Sequence, residues 1–111
     1  MNSIRTHADL QDVLSLDRAV LYKHSTRCEL SISARRHVEQ FADNFPVAQV
    51  FLVDVLRDRS LSDEVEELLG VRHESPQAIL LEGGKAVRHA SHRGVQLKTL
   101  SEWWGELSID G

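Results

Sequence analysis

Three short apolar runs, separated by stretches with helical spacing, constrain this chain more than any other feature. The runs are Ala19-Val20-Leu21-Tyr22, Val47 to Asp54, and Ala78-Ile79-Leu80-Leu81. The first is bounded by polar residues, as expected of a strand buried on both faces, and the other two also read as strands. Between the first two, Leu30, Ala34, Val38, Phe41 and Phe45 recur at steps of three or four from Cys28 onward, with Arg35, Arg36, Glu39, Gln40 and Asp43 at the other positions. This spacing predicts an amphipathic helix that ends about Asn44, before Pro46. Between the second and third runs, Ser60-Leu61-Ser62-Asp63 has capping-box spacing, Val65, Leu68 and Leu69 follow, and Gly70 stops the pattern. Each of the first two strand-to-strand connections therefore contains a helix, which favours parallel or crossover pairing.

The flanks extend this frame. Thr6-His7-Ala8-Asp9 has capping-box spacing ahead of Leu10, Val13 and Leu14, which predicts a short first helix. Gly83-Gly84 between the third apolar run and Lys85-Ala86-Val87-Arg88-His89 is a tight hairpin signal, so a fourth strand lies antiparallel to the third. Leu97, Leu100, Trp104 and Leu107 mark a final amphipathic helix. The expected product is an α/β fold, a four-stranded mixed sheet flanked by helices on both faces. At 111 residues it is read as one domain over the whole chain, large enough to fold without a disulfide or metal.

The chemistry gathers at Tyr22-Lys23-His24-Ser25-Thr26-Arg27-Cys28-Glu29-Leu30-Ser31, where the first strand gives way to a polar turn and then to the long helix. The only cysteine stands where the helical pattern begins. Unpaired N–H groups and the positive end of the helix dipole stabilise a thiolate there relative to the thiol, so Cys28 is a candidate nucleophile. The structural alternative is a buried, inert cysteine, because free Cys is among the most buried residue types. The polarity of Ser25, Thr26, Arg27, Glu29 and Ser31 favours an exposed site.

Composition excludes several classes. One Cys cannot form an internal disulfide, no apolar N-terminal run resembles a signal peptide, and no apolar stretch approaches a membrane span, so a reducing, cytoplasmic setting is expected. A net charge of -4 with mixed signs and no basic patch speaks against nucleic acid as a partner. His24, His73, His89 and His92 have neither Cys-x-x-Cys nor His-Glu-x-x-His spacing, and His89 and His92 on one strand would face opposite ways. No metal site is expected from them. The Trp103-Trp104 pair reads as core packing with partial exposure.

Lys23-His24-Ser25-Thr26-Arg27-Cys28, Asp54-Val55, His73-Glu74-Ser75-Pro76-Gln77 and His89-Ala90-Ser91-His92 resemble the monothiol bacilliredoxin family, with likeness from about Val20 to Gly94. The resemblance implies a thioredoxin-like fold and a thiol–disulfide oxidoreductase that removes bacillithiol, or a similar low-molecular-weight thiol, from modified protein cysteines. It implies that Cys28 attacks, that Ser31 stands where dithiol relatives have a second Cys, and that Pro76 is a cis-proline beside the thiol. Thr26, Arg27, Ser31, Ser75 and Pro76 would contact the substrate, Ser75 through its backbone, while His24 and Glu29 would modulate the thiol. Glu29 departs from the family, which typically has proline there. Its charge suits the first helical turn but opposes the thiolate.

The implied partners are S-thiolated client proteins and a low-molecular-weight thiol or partner redoxin; no bound cofactor is implied. With Ser31 in place of a resolving cysteine, the enzyme-bound thiol must be released by a second thiol from outside. Two other classes fit the same residues: an iron–sulfur-binding protein of the monothiol glutaredoxin kind, and a thioredoxin-like interaction module without redox activity.

Overall fold

Alternation along the central strand divides the core in two. The computed structural model describes residues 1–110, apart from the side chains of 106–110. In chain order it contains β1 (Asn2–Ser3), α1 (His7–Leu14), β2 (Arg18–His24), α2 (Glu29–Asn44), β3 (Val50–Asp54), α3 (Arg59–Leu69), β4 (Gln77–Glu82), β5 (Lys85–Ser91), a 3-10 turn at His92–Gly94, and α4 (Leu97–Asp110). Successive strand residues point to opposite faces. Ala19 and Leu21 accordingly pack with Leu10 and Val13 of α1 and Leu61 and Val65 of α3. Val20 and Tyr22 pack with Ala34, Val38 and Phe41 of α2 and Leu100 and Trp104 of α4. Truncating a fully buried aromatic such as Phe41 to Ala would cost about 3–5 kcal/mol.

The sheet order is β1-β3-β2-β4-β5. β2 and β3 pair in parallel, as the intervening helix requires, and β4 runs antiparallel to both β2 and β5. The sheet has five strands rather than the four expected. The addition is β1, which pairs in parallel with β3 through Asn2↔Phe51 and Ser3↔Leu52. Two exposed polar residues carry no period from which to read a strand.

Other boundaries also move. The second apolar run begins pairing at Val50, not Val47: Ala48 N–H closes a turn onto Phe45 O at 2.8 Å, and Val47 is left 81% exposed. Ser60 does not cap α3. The Asp54 carboxylate accepts from Leu56 N and Arg57 N at 3.1 and 3.0 Å, Asp58 N donates to Asp54 O at 2.8 Å, and the turn winds directly into a helix with Asp58 at its N-cap. Ser62 is buried in this helix, and Leu68 is exposed.

The first capping box forms as expected: Asp9 N donates to Thr6 Oγ1, and Thr6 N and Arg5 N donate to the Asp9 carboxylate. Those backbone bonds hold the Asp9 carboxyl below its ordinary range. Gly83 and Gly84 both have positive φ, 58° and 78°, and a Cβ on Gly84 would lie 2.6 Å from Leu14 O. The hairpin therefore needs glycine at its second position on two counts. Trp104 is buried, with the Arg18 guanidinium 3.8 Å above its ring, while Trp103 is partly exposed. The side chain of Leu107 lies outside the described residues. No helix among the described residues is long and apolar enough to cross a membrane.

Candidate active site

Cys28 is the N-cap of α2, in extended conformation (φ -106°, ψ 121°), partly exposed and with its thiol making no cap hydrogen bond. Thr26, Arg27 and Glu29 around it are exposed, whereas Ser25 and Ser31 are buried. The polar stretch is therefore not uniformly exposed, as its composition suggested. Ser31 holds the turn together from within. Its N–H donates to Cys28 O at 3.0 Å, its Oγ accepts from Ser25 N at 3.2 Å, and its carbonyl accepts from the Tyr22 hydroxyl at 3.0 Å. Cys28 N in turn donates to Ser25 O at 3.3 Å. Two of these bonds close the cysteine turn on itself, and the third ties it to β2.

Below this turn, the proton inventory of Tyr22 fixes the state of His24. The Tyr22 hydroxyl lies 3.0 Å from both Ser31 O and His24 Nδ1. It has one proton, and a carbonyl can only accept, so that proton goes to Ser31 and Nδ1–H of His24 donates to the hydroxyl oxygen. Neutral His24 thus carries its proton on Nδ1 and leaves Nε2 as an acceptor. Burial, reinforced by the Arg35 charge, lowers the His24 pKa, and burial raises that of Tyr22. Both side chains are neutral near pH 7.

The opposite face of β2 carries a second polar group that sequence reasoning missed. Lys23 is fully buried, with Nζ 3.0 Å from His73 Nδ1, and the Ser62 hydroxyl lies 3.2 Å from the same nitrogen. An ammonium can only donate, so His73 is the acceptor and holds its own proton on Nε2. His73 N–H donates to the Glu66 carboxylate. Burial lowers the Lys23 pKa, opposed by the charges of Glu66 and Asp63; burial and then Lys23 lower that of His73. A lysine immediately after an apolar run was the available signal: period-two alternation places position 23 on the same buried face as 19 and 21.

His73 leads into Glu74, Ser75 and Pro76, and the Ser75–Pro76 bond is cis. The pairing Lys23↔Gln77 sets Pro76 across from the end of β2, from which the cysteine turn departs. Pro76 is buried, and its carbonyl accepts from His92 N at 2.8 Å. The Ser75 hydroxyl is buried without a hydrogen-bond partner among the described residues. Cys28, Ser31, His24, Ser75 and Pro76 thus gather at one end of the β2–β4 pair, with Thr26, Arg27 and Glu29 on the outer side of the turn. His92 is not on the strand as expected. It begins the 3-10 turn at φ 55°, while His89 stays on β5. Among the described residues, no three His, Cys, Asp or Glu side chains cluster so as to hold a metal ion.

Residues 2–100 match the family model of monothiol bacilliredoxin BrxC. The chain belongs to the monothiol bacilliredoxin family. It is a thioredoxin-like redox protein, and solved structures bear out the fold. A solved structure with a thioredoxin fold is 24% identical with a TM-score of 0.84, covering 90% of this chain and 89% of the other. Thioredoxin from Fasciola hepatica is 20% identical at TM-score 0.78, covering 96% and 98%. Thioredoxin from Trypanosoma brucei brucei is 17% identical at 0.80, covering 96% and 89%. At these identities the likeness shows the fold alone. For a bacilliredoxin of this family, the single partly exposed thiol at the start of α2 and the buried serine beneath it are the features that bear on chemistry.

Proposed function

We propose that this chain removes a low-molecular-weight thiol of the bacillithiol kind from S-thiolated proteins, with Cys28 as nucleophile. The Cys28 thiolate attacks the small-thiol sulfur of a mixed disulfide, a Cys28–thiol disulfide forms, and the client cysteine leaves as a thiolate that takes up a proton. A second thiol from solution then attacks the small-thiol sulfur and releases the Cys28 thiolate. The client is reduced, and the two small thiols are oxidised to one disulfide. Thr26, Arg27, Ser75 and Pro76 would receive the substrate. Ser31 holds the cysteine turn, and Glu29 and His24 would modulate the thiol, Glu29 alone by its charge near pH 7.

The observation that carries this reading is a partly exposed cysteine at a helix N-terminus, with a buried serine pinned beneath it where a resolving thiol would otherwise sit. The test is mass spectrometry of the reduced protein incubated with bacillithiol disulfide, followed by an S-bacillithiolated client. A single adduct on Cys28, with release of unmodified client, is expected. An unmodified Cys28 with the client still thiolated would overturn the proposal in favour of an interaction module, and a coloured dimer on purification would favour an iron–sulfur protein.

A further inference from the structure

A cleft of about 320 Å³ lies between α2 and the segment that follows β5. Leu30, Ala34 and His37 line one side, and His92, Arg93 and Gln96 the other. Three properties set it apart. It starts two residues past the nucleophile and runs along α2 to His37, nine residues past Cys28, or about 13 Å at 1.5 Å per residue. That is the reach of a small thiol whose sulfur stands at Cys28. His92, on its other wall, donates its backbone N–H to the Pro76 carbonyl, which ties that wall to the proline loop.

The third property is charge. On a chain of net charge -4, three other surface clefts each carry carboxylates in their lining: Asp9 and Asp12 without a cation, Asp58 and Glu64 beside Arg5, Arg57 and Arg59, and Glu39 and Asp43 beside Arg35. No carboxylate lines this one, which instead holds one arginine and two histidines. The roles of these three side chains differ. His37 Nδ1 accepts from Leu97 N at 2.9 Å, so the neutral ring offers Nε2–H as a donor. His92 acts on the nearby Glu74 carboxyl, which the Ser91 hydroxyl and then the charges of His92, Arg72 and His89 hold below its ordinary range. Arg93 is exposed and makes no ion pair with the described residues. A guanidinium of this kind matches a carboxylate in two-point geometry.

We propose that this cleft is a subsite for a carboxylate of the low-molecular-weight thiol, with Arg93 as its principal contact and His37 as a supporting donor. The inference rests on the reading of Cys28 as a thiol-exchanging nucleophile, and its test is independent of exchange. Isotope-labelled protein is titrated with S-methyl bacillithiol, which carries carboxylates but cannot exchange, and with 2-(methylthio)ethanol, a neutral thioether. Saturating amide shifts at Leu30, Ala34 and Gln96 are expected with the first ligand only. Arg93→Gln, on the surface, should weaken that binding about fivefold or more, and Arg93→Lys should weaken it less. Absence of shifts at these residues, equal response to the neutral thioether, or unchanged affinity in Arg93→Gln would overturn the proposal. Binding here alongside an unreactive Cys28 would sink the exchange reading and keep the subsite; an adduct on Cys28 without binding would do the reverse.

Discussion

Tyr22→Phe removes one oxygen from the core beneath the cysteine turn and leaves the ring in place. Apolar burial is unchanged, so the loss comes from two hydrogen bonds, to Ser31 O and from His24 Nδ1, both 3.0 Å. At about 0.5–1.5 kcal/mol each, the expected destabilisation is about 1–3 kcal/mol. The upper part of that range applies if His24 Nδ1–H finds no new acceptor. With a urea m value of about 1.5 kcal/mol/M, the unfolding midpoint should fall by about 0.7–2 M with m unchanged. The assay is urea denaturation of both proteins at pH 7, where burial keeps the phenol protonated. The same pair also tests the tautomer: nitrogen NMR of wild type should find the His24 proton on Nδ1, and Tyr22→Phe should shift it toward Nε2. A midpoint within about 0.3 M of wild type, or a wild-type His24 protonated on Nε2, would refute the reasoning.

Three further outcomes are expected. Burial lowers the native pKa of His24 and His73 below the ordinary 6.5, so their contribution to stability is full above pH 6.5 and is lost as pH falls through the native values. The urea midpoint should drop between pH 7.5 and 5, and His73→Gln should shrink that drop; a midpoint level across this window would contradict the argument. Ser31→Ala orphans the buried Ser25 N–H and should cost about 1–3 kcal/mol by urea unfolding. Single-turnover attack by Cys28 should survive in that variant and vanish in Cys28→Ser. Glu29→Gln should speed iodoacetamide alkylation of Cys28 at pH 7 and low salt by a factor of about two to five, less in high salt, since a solvated unit-charge interaction is at most about 1 kcal/mol; slower alkylation would mean the carboxylate assists the thiol.

The alternation of apolar runs with helical spacing was enough to read β2, α2, β3, β4, β5 and the Thr6 cap, because those signals depend on neighbours within a turn or two of chain. The same local reading located Cys28 at the start of α2, and the resemblance to bacilliredoxins identified Pro76 as the cis residue found in the structure. It failed wherever a hydrogen-bonding partner outside the periodic pattern set the outcome. β1 exists only because the edge of β3 is open to Asn2 and Ser3. Asp58 replaced Ser60 as the cap because Asp54, at the end of a strand, captured the amides that follow. Ser31 looked like part of an exposed site, yet Tyr22 and Ser25 draw it inward. Lys23 is buried because its strand lies at the centre of the sheet, and it is tolerated there because His73, fifty residues on, turns a lone pair toward it. Local periodicity decides which segments are helices and strands; which polar groups are hidden, and with which partners, is decided only when those segments pack, because desolvation makes each buried donor and acceptor depend on groups brought to it from elsewhere in the chain.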